Sequence, residues 1–168
     1  LQPDHNFMKH HASNGINRRQ FITTTGMGVA LFNILPGRLL GADAVTPSQK
    51  LNVAGIGVGR RGGTDVSEVA ALGHNIVALC DVDEKSAAKT FAAYPNAKRF
   101  TRYRTMFDKM GKEIEAVVIG TPDHNHAIVA MEAMRRHKHV FCEKPLAHSV
   151  HEIRKLMAAA EKYKVVTQ

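Results

Sequence analysis

From Lys50 onward, short apolar runs alternate with stretches in which apolar residues recur every three to four positions. A run of four to six apolar residues bounded by Gly, Asn or Asp has the length of a buried strand, and the longer recurrence marks a helix with one face on a core. Leu51-Asn52-Val53-Ala54-Gly55-Ile56 therefore reads as a buried strand and Thr64 to Leu72 as a helix. Asn75 to Cys80 is a second strand, followed by a helix from Glu84 to Ala93 that Asp83 caps by accepting from first-turn N–H groups. Ala116 to Ile119 is the next clear strand, His126 to His137 a long helix, and His139 to Cys142 another strand. Ser149 and Glu152 have the spacing of a capping box and open a last helix ending near Tyr163; Val165-Val166 begins one more strand. Strands alternating with helices at this spacing predict an α/β fold, a doubly wound parallel sheet, over residues 48–168. No internal repeat or low-complexity tract competes with that reading.

The first 44 residues have a different character. Lys9, Arg18, Arg19 and Arg38 stand against two acids, Asp4 and Asp43, and a modestly apolar stretch runs from Phe21 to Leu35 before the small-residue site Ala42-Asp43-Ala44. A basic region, an apolar region and an A-x-A site are the parts of an export signal. Asn17-Arg18-Arg19-Gln20-Phe21-Ile22 resembles the twin-arginine motif, and the weak hydrophobicity of Thr23 to Gly28 suits that route. The expectation is export to the periplasm through the twin-arginine translocase, with an uncleaved membrane anchor or an amphipathic N-terminal helix as alternatives. Met8-Lys9 reads as a natural start, which makes Leu1 to Phe7 an over-extended reading frame.

The composition changes this picture little. The 168 residues are 44% hydrophobic and 23% charged, values of an ordinary globular domain. Two cysteines exclude a disulfide scaffold, and no run of 18 apolar residues offers a transmembrane span. The formal charge of +8 falls to +6 without the four bases and two acids of residues 1–44. The remaining bases sit in short groups, Lys98-Arg99 with Arg102 and Arg104, and Arg135-Arg136 with Lys138, with no recognised nucleic-acid module among them. Such groups read as solvated faces or helix ends, so no nucleic-acid partner is expected.

The candidate chemistry lies where the predicted strands end, the edge at which open α/β sheets bind ligands. Gly57-Val58-Gly59-Arg60-Arg61-Gly62 follows the first strand as a G-x-G-x-x-G. Gly57 permits a tight turn, Gly59 lets backbone approach a pyrophosphate, and Gly62 lets the next helix pack close. Asp81 closes the second strand 19 residues after Gly62, placed to accept from adenosine ribose hydroxyls and to repel a 2′-phosphate. Those features point to NAD, while Arg60 and Arg61 keep NADP open. Thr121-Pro122-Asp123-His124-Asn125-His126 and Glu143-Lys144-Pro145 follow two later strands. His124 and His126 have an H-x-H spacing but no third ligand at a matching distance, so no metal is expected and one of them reads as a groove or capping residue. The methionines, Met131 and Met134 among them, read as core filling. Cys80 and Cys142, on the second and fifth strands, are expected to stay free thiols, because the strand order 3-2-1-4-5 puts them about 14 Å apart.

In this order, the glycine fingerprint, the acid, the T-P-x-x-x-H segment and the E-K-P segment make the chain from Leu51 to Gln168 resemble the Gfo/Idh/MocA family of NAD(P)-dependent oxidoreductases. The resemblance implies a Rossmann domain in which Thr121, Pro122 and His126 line the cofactor groove, and Glu143 and Lys144 reach the nicotinamide ribose and substrate. It also implies a cis bond before Pro145, catalytic help from Lys144, a carbohydrate-type small-molecule substrate, a homo-oligomer, and a second α/β domain bearing a catalytic histidine. Gln168 stops where that domain is expected, so the sequence reads as an N-terminal fragment that binds nucleotide without turnover. Physically, a lysine at a strand end facing a nicotinamide can stabilise a developing alkoxide, although a surface lysine in an ordinary turn has the same local sequence.

Export adds one constraint. Soluble NAD is scarce outside the cytoplasm, so an exported enzyme needs a cofactor that stays bound and returns to its starting redox state. Coupled oxidation and reduction of two sugars is the leading expectation, and glycoside cleavage through transient oxidation and elimination comes second. A nucleotide-binding module without catalysis is the third.

Overall fold

The apolar runs pair as one five-stranded parallel sheet in a computed structural model that describes residues 49–168. The paired arginines, the apolar stretch and the Ala42-Asp43-Ala44 site lie outside the described residues. The strands are β1 (Asn52–Ile56), β2 (Asn75–Cys80), β3 (Lys98–Phe100), β4 (Ala116–Ile119) and β5 (His139–Cys142), in the order β3-β2-β1-β4-β5. The helices are α1 (Arg60–Ala71), α2 (Glu84–Ala93), α3 (Tyr103–Met110), α4 (His126–Arg135) and α5 (Val150–Tyr163), with a 3₁₀ turn at Asp123–Asn125.

Alternation within each strand explains why the runs are apolar throughout. Val53, Leu79 and Val118 face a core with Val58, Val66, Ala87 and Phe91. Ala54, Ile56, Ala78, Val117, Ile119 and Val140 face the other core with Met106, Phe107, Met134 and Leu156. Successive residues point to opposite faces, and helices cover both, so neither set tolerates polarity. The chain winds outward from β1 to β3, then crosses back to lay β4 on the other side of β1. The loops after β1 and β4 consequently leave in opposite directions and open a crevice between them.

Asp83 accepts from Lys85 N at 3.0 Å and Ser86 N at 3.1 Å, as its capping position predicts. Ser149 and Glu152 form the capping box. Three readings need correction. Helix α1 starts at Arg60 rather than Thr64, because Gly62 and Gly63, poor helix formers in isolation, sit where a Cβ would strike the Gly57 carbonyl at the strand end and the Thr90 side chain with the Val58 carbonyl, respectively. Helix α4 ends at Arg135, since His137 takes φ 58° and cannot continue it. Strand β3 and helix α3 were not identified: β3 has three residues, two of them exposed and charged, and its pairing with β2 supplies the stability its sequence lacks. The helical spacing of Tyr103, Phe107 and Met110 was a usable signal for α3. Beyond α5, Val140 N donates to Val166 O at 3.0 Å and Cys142 N to Gln168 O at 2.8 Å, a parallel pairing beside β5 where the Val165-Val166 run was expected to begin a strand.

Cys80 and Cys142 are free thiols, with β1 and β4 lying between their strands. Burial, with smaller contributions from Asp81 and Glu143, pushes both thiols up to about 12. Among the described residues no helix is long and apolar enough to cross a membrane.

Candidate functional site

Immediately after β1, Gly57 turns the chain at φ 74°, and a Cβ there would come within 2.5 Å of the Thr121 backbone nitrogen. Only glycine meets both conditions at no steric cost. A Cβ on Gly62 would run into the Gly57 carbonyl, and one on Gly120 would lie 2.5 Å from Gly62 Cα. Helix α1 thus rests backbone against backbone on the ends of β1 and β4. Gly120 was not singled out from sequence, although a glycine directly after the Ala116–Ile119 run was a signal of close approach. A Cβ on Gly59 would meet the Ser86 side chain of α2. Gly59 caps α1 with no side-chain hydrogen bond, so the first-turn N–H groups keep their donors for an anion. Arg60 begins the helix at φ 47°, a left-handed conformation that costs a non-glycine residue about 1–2 kcal/mol.

The turn opens onto a groove of about 540 Å³ lined by Gly57, Gly59, Arg60, Arg61, Asp81, Thr121 and Pro122 together with Tyr103 and Asn125. Asp81 holds the loop from the β2 side: its Oδ2 accepts from Gly59 N at 3.0 Å and its Oδ1 from Asp83 N at 2.9 Å. Each carboxylate oxygen retains acceptor capacity for a hydroxyl. Thr121 Oγ1 is buried without a hydrogen-bond partner among the described residues.

At the β4–β5 end the predicted residues divide. His126 is 2% exposed, with Nδ1 2.7 Å from Pro145 O and Nε2 2.7 Å from Thr121 O. Each ring nitrogen faces a backbone carbonyl, which accepts from whichever nitrogen carries the proton, so His126 lies between the two loops from beneath where the resemblance implied a groove-lining residue. The Lys144-Pro145 bond is cis, as the resemblance implied. Lys144 is exposed at the end of β5, outside the residues lining the groove. Glu143 turns back toward α1 and accepts from Arg61 Nε at 2.9 Å, while another nitrogen of the same guanidinium stands 2.9 Å from Asp65 Oδ1. Neither Asp65 oxygen has a hydrogen bond of good alignment, so Arg61 answers this buried carboxyl through charge. Burial raises the Asp65 carboxyl above its ordinary value despite Arg61, whereas the Arg61 hydrogen bond holds Glu143 below its own. The Arg61–Asp65–Glu143 bridge was not legible in sequence. It occupies Arg61, leaving Arg60 as the arginine of this loop without an ion-pair partner among the described residues. His124 is exposed, and no three His, Cys, Asp or Glu side chains among the described residues converge as a metal site.

A glycine cradle that any Cβ would fill, uncapped N–H groups at a helix start, an acceptor at the end of β2 and an unpartnered hydroxyl across the groove together fit a dinucleotide. The diphosphate meets the helix N-terminus and a ribose meets the carboxylate.

Comparison with known proteins agrees. Residues 51–168 match the model of the oxidoreductase family with an NAD-binding Rossmann fold. A glycosyl hydrolase family 109 protein of Shewanella pealeana is 32% identical over 88% of this chain and 37% of its own length. Inositol 2-dehydrogenase of Salmonella paratyphi B is 31% identical over 64% of this chain and 32% of its own. Among solved structures, GenD2 from gentamicin A biosynthesis, in complex with NAD, superposes with a TM-score of 0.64 at 27% identity, covering 70% of this chain and 33% of that one. The chain spans about a third of the length of these relatives. With its parallel sheet, glycine cradle and E-K-P segment in place, the chain belongs to the Gfo/Idh/MocA family of oxidoreductases and carries its NAD(P)-binding Rossmann domain.

Proposed function

We propose that this chain is the cofactor-binding part of a longer, exported oxidoreductase that acts on a sugar or polyol by hydride transfer and keeps its cofactor bound. The observation that carries the reading is the cradle of Gly57, Gly59, Gly62 and Gly120, where the uncapped start of α1 meets Asp81. When bound, the nicotinamide supplies a carrier for two electrons and one hydrogen at the substrate carbon. The chain's own residues bind and orient it. The α1 N–H groups take the diphosphate, Gly59 leaves room for its approach, Asp81 takes the adenosine ribose, and Thr121 Oγ1 offers the unpartnered hydroxyl on the far side. Lys144, exposed at the end of β5, supplies a positive charge beside the developing alkoxide.

Asp81 favours NAD over NADP, and the bridge from Arg61 to Glu143 and Asp65 supports that preference by leaving Arg60, among the described residues, as the guanidinium of the loop without an ion-pair partner for a 2′-phosphate. Spectral identification of a nicotinamide co-purifying with the protein, followed by NAD and NADP titration of the stripped protein, tests the reading. Absence of co-purified nicotinamide, together with no NAD binding at millimolar concentration, overturns it.

A second reading, glycoside cleavage through transient oxidation and elimination, draws support from one observation. The family 109 match covers 88% of the 168 residues and so must reach before Gln49, whereas the inositol dehydrogenase match covers 64%. Release of p-nitrophenol from p-nitrophenyl glycosides, without net change in cofactor redox state, distinguishes it from net sugar oxidation.

A further inference from the structure

Helix α1 turns Gly62, Asp65 and Val66 toward the sheet, the three- and four-residue spacing of a core face. Gly62 meets main chain and Val66 packs in the core, but Asp65 places a carboxyl, 2% exposed, on a stripe suited to an apolar side chain. Burying such a group is unfavourable unless an opposite charge answers it, and a local rule broken in an otherwise consistent helix points to function. Burial raises the Asp65 carboxyl, Arg61 opposes that rise, and Glu143 and Glu68 add to it. The Arg61 guanidinium, one turn back, stands 2.9 Å from Asp65 Oδ1. Arg61 also lines the cofactor groove, and its Nε donates to Glu143 Oε1 at 2.9 Å. The arginine is 59% exposed, so these pairs add little to stability, and without an anchor its long side chain would sample many rotamers. Beyond Glu143, the Pro145 carbonyl faces Nδ1 of the buried His126 ring at 2.7 Å. Lys144 stands between these two contacts.

We propose that Asp65 is a positioning residue: through Arg61 it fixes Glu143, and so sets where the adjoining Lys144 stands relative to the start of α1, where the diphosphate binds. This rests on the oxidoreductase reading above, in which Lys144 stabilises the developing alkoxide. Asp65 touches neither cofactor nor substrate. Its negative charge, held on the sheet-facing side of a helix, selects one direction for the guanidinium, whose separate nitrogens then serve Asp65 and Glu143. A planar fork meets two carboxylates in this way, and a single ammonium does not. The tie joins the cofactor-binding turn to the E-K-P segment 82 positions along the chain, so the two keep their spacing while the substrate is held. Lys144 supplies the charge, and Asp65 narrows the range of positions from which it acts.

The test uses the whole protein with its cofactor, following reduction of bound NAD by myo-inositol and by D-glucose. Asp65→Asn, which keeps the size of the side chain and removes its charge, is expected to slow reduction about tenfold at saturating substrate, with NAD affinity unchanged. Arg61→Lys should give a comparable loss of rate, and adding Asp65→Asn to it should slow the reaction no further, because both act through the same guanidinium. Glu68→Gln, exposed on the same helix, should change nothing. Nitrogen-15 spectra of the wild type should show hindered rotation of the Arg61 guanidinium, released in Asp65→Asn. A wild-type rate in Asp65→Asn, a parallel loss of NAD affinity, losses that add in the double variant, or an arginine equally hindered without the Asp65 charge overturns the positioning role. Failure of the wild type to bind NAD, or to be reduced by either compound, defeats the oxidoreductase reading and the role in the reaction with it.

Discussion

Around the start of α1, where β1 and β4 end, backbone meets backbone: Gly57, Gly62 and Gly120 touch through main-chain atoms, and Asp81 secures the loop through the N–H groups of Gly59 and Asp83. At the β4–β5 end, side chains do the joining. His126 links two loops through its ring, and Arg61 reaches Glu143, 82 positions along the chain. The first arrangement is a steric mould, in which a methyl group in the wrong place is costly and most functional groups are irrelevant. The second is a set of charges and donors, in which volume is tolerated and the loss of one functional group removes one chemical step. In the proposed function, binding falls to the first arrangement and chemistry to the second.

The comparison breaks most decisively at Lys144. In the whole enzyme, Lys144→Met is expected to lower kcat 10²–10⁴-fold, about 3–5 kcal/mol, while leaving NAD affinity intact. Lost affinity with preserved kcat at saturating NAD would make the lysine part of the mould.

Next comes Gly62→Ala at the opposite end. The added methyl meets the Gly57 carbonyl, which is main chain and cannot rotate away, so the cost should approach about 3 kcal/mol, the upper range for overpacking. A lower Tm together with weakened NAD binding is the expected result. Wild-type Tm and affinity would show that α1 does not rest on the strand ends.

Asp81→Ala should weaken NAD binding about tenfold, roughly 1.4 kcal/mol, and relax discrimination against NADP. Titration with both cofactors checks it, and unchanged discrimination removes Asp81 from the ribose site.

The smallest effect belongs to the Arg61–Glu143 bridge. Glu143→Gln is expected to lower the Tm only slightly at neutral pH, since Arg61 is largely exposed and solvent screens the pair. Because the arginine's hydrogen bond lowers the folded-state value, the contribution is present at higher pH and fades as pH falls below the ordinary glutamate value of 4.5. Thermal midpoints of wild type and variant should therefore converge in acid. A gap that widens in acid would contradict the sign.

Most elements, and the mould, were legible in the sequence. Strands buried on both faces must be apolar throughout, and a glycine at φ 74° or against a carbonyl has no substitute, so Asn75–Cys80, Ala116–Ile119 and Gly57 to Gly62 announced themselves locally. Caps are also local, since Asp83 and Ser149 satisfy donors two or three residues away. Strand β3 was not legible, because a three-residue edge strand with two charged residues is held by its neighbour rather than by its own pattern.

Sequence by itself determined the winding of the chain and the place of the dinucleotide fingerprint, because these follow from periods and offsets of a few residues. Tertiary structure decided which side chains stand free. The sheet order carries Glu143 across to Arg61, removing that arginine from the free groups of the loop, and it draws the Thr121 and Pro145 carbonyls onto opposite nitrogens of one buried ring, removing His126 from the groove. The physical reason is that a side chain's availability depends on its partners, and these came from strands β4 and β5, brought together by packing rather than by any local pattern.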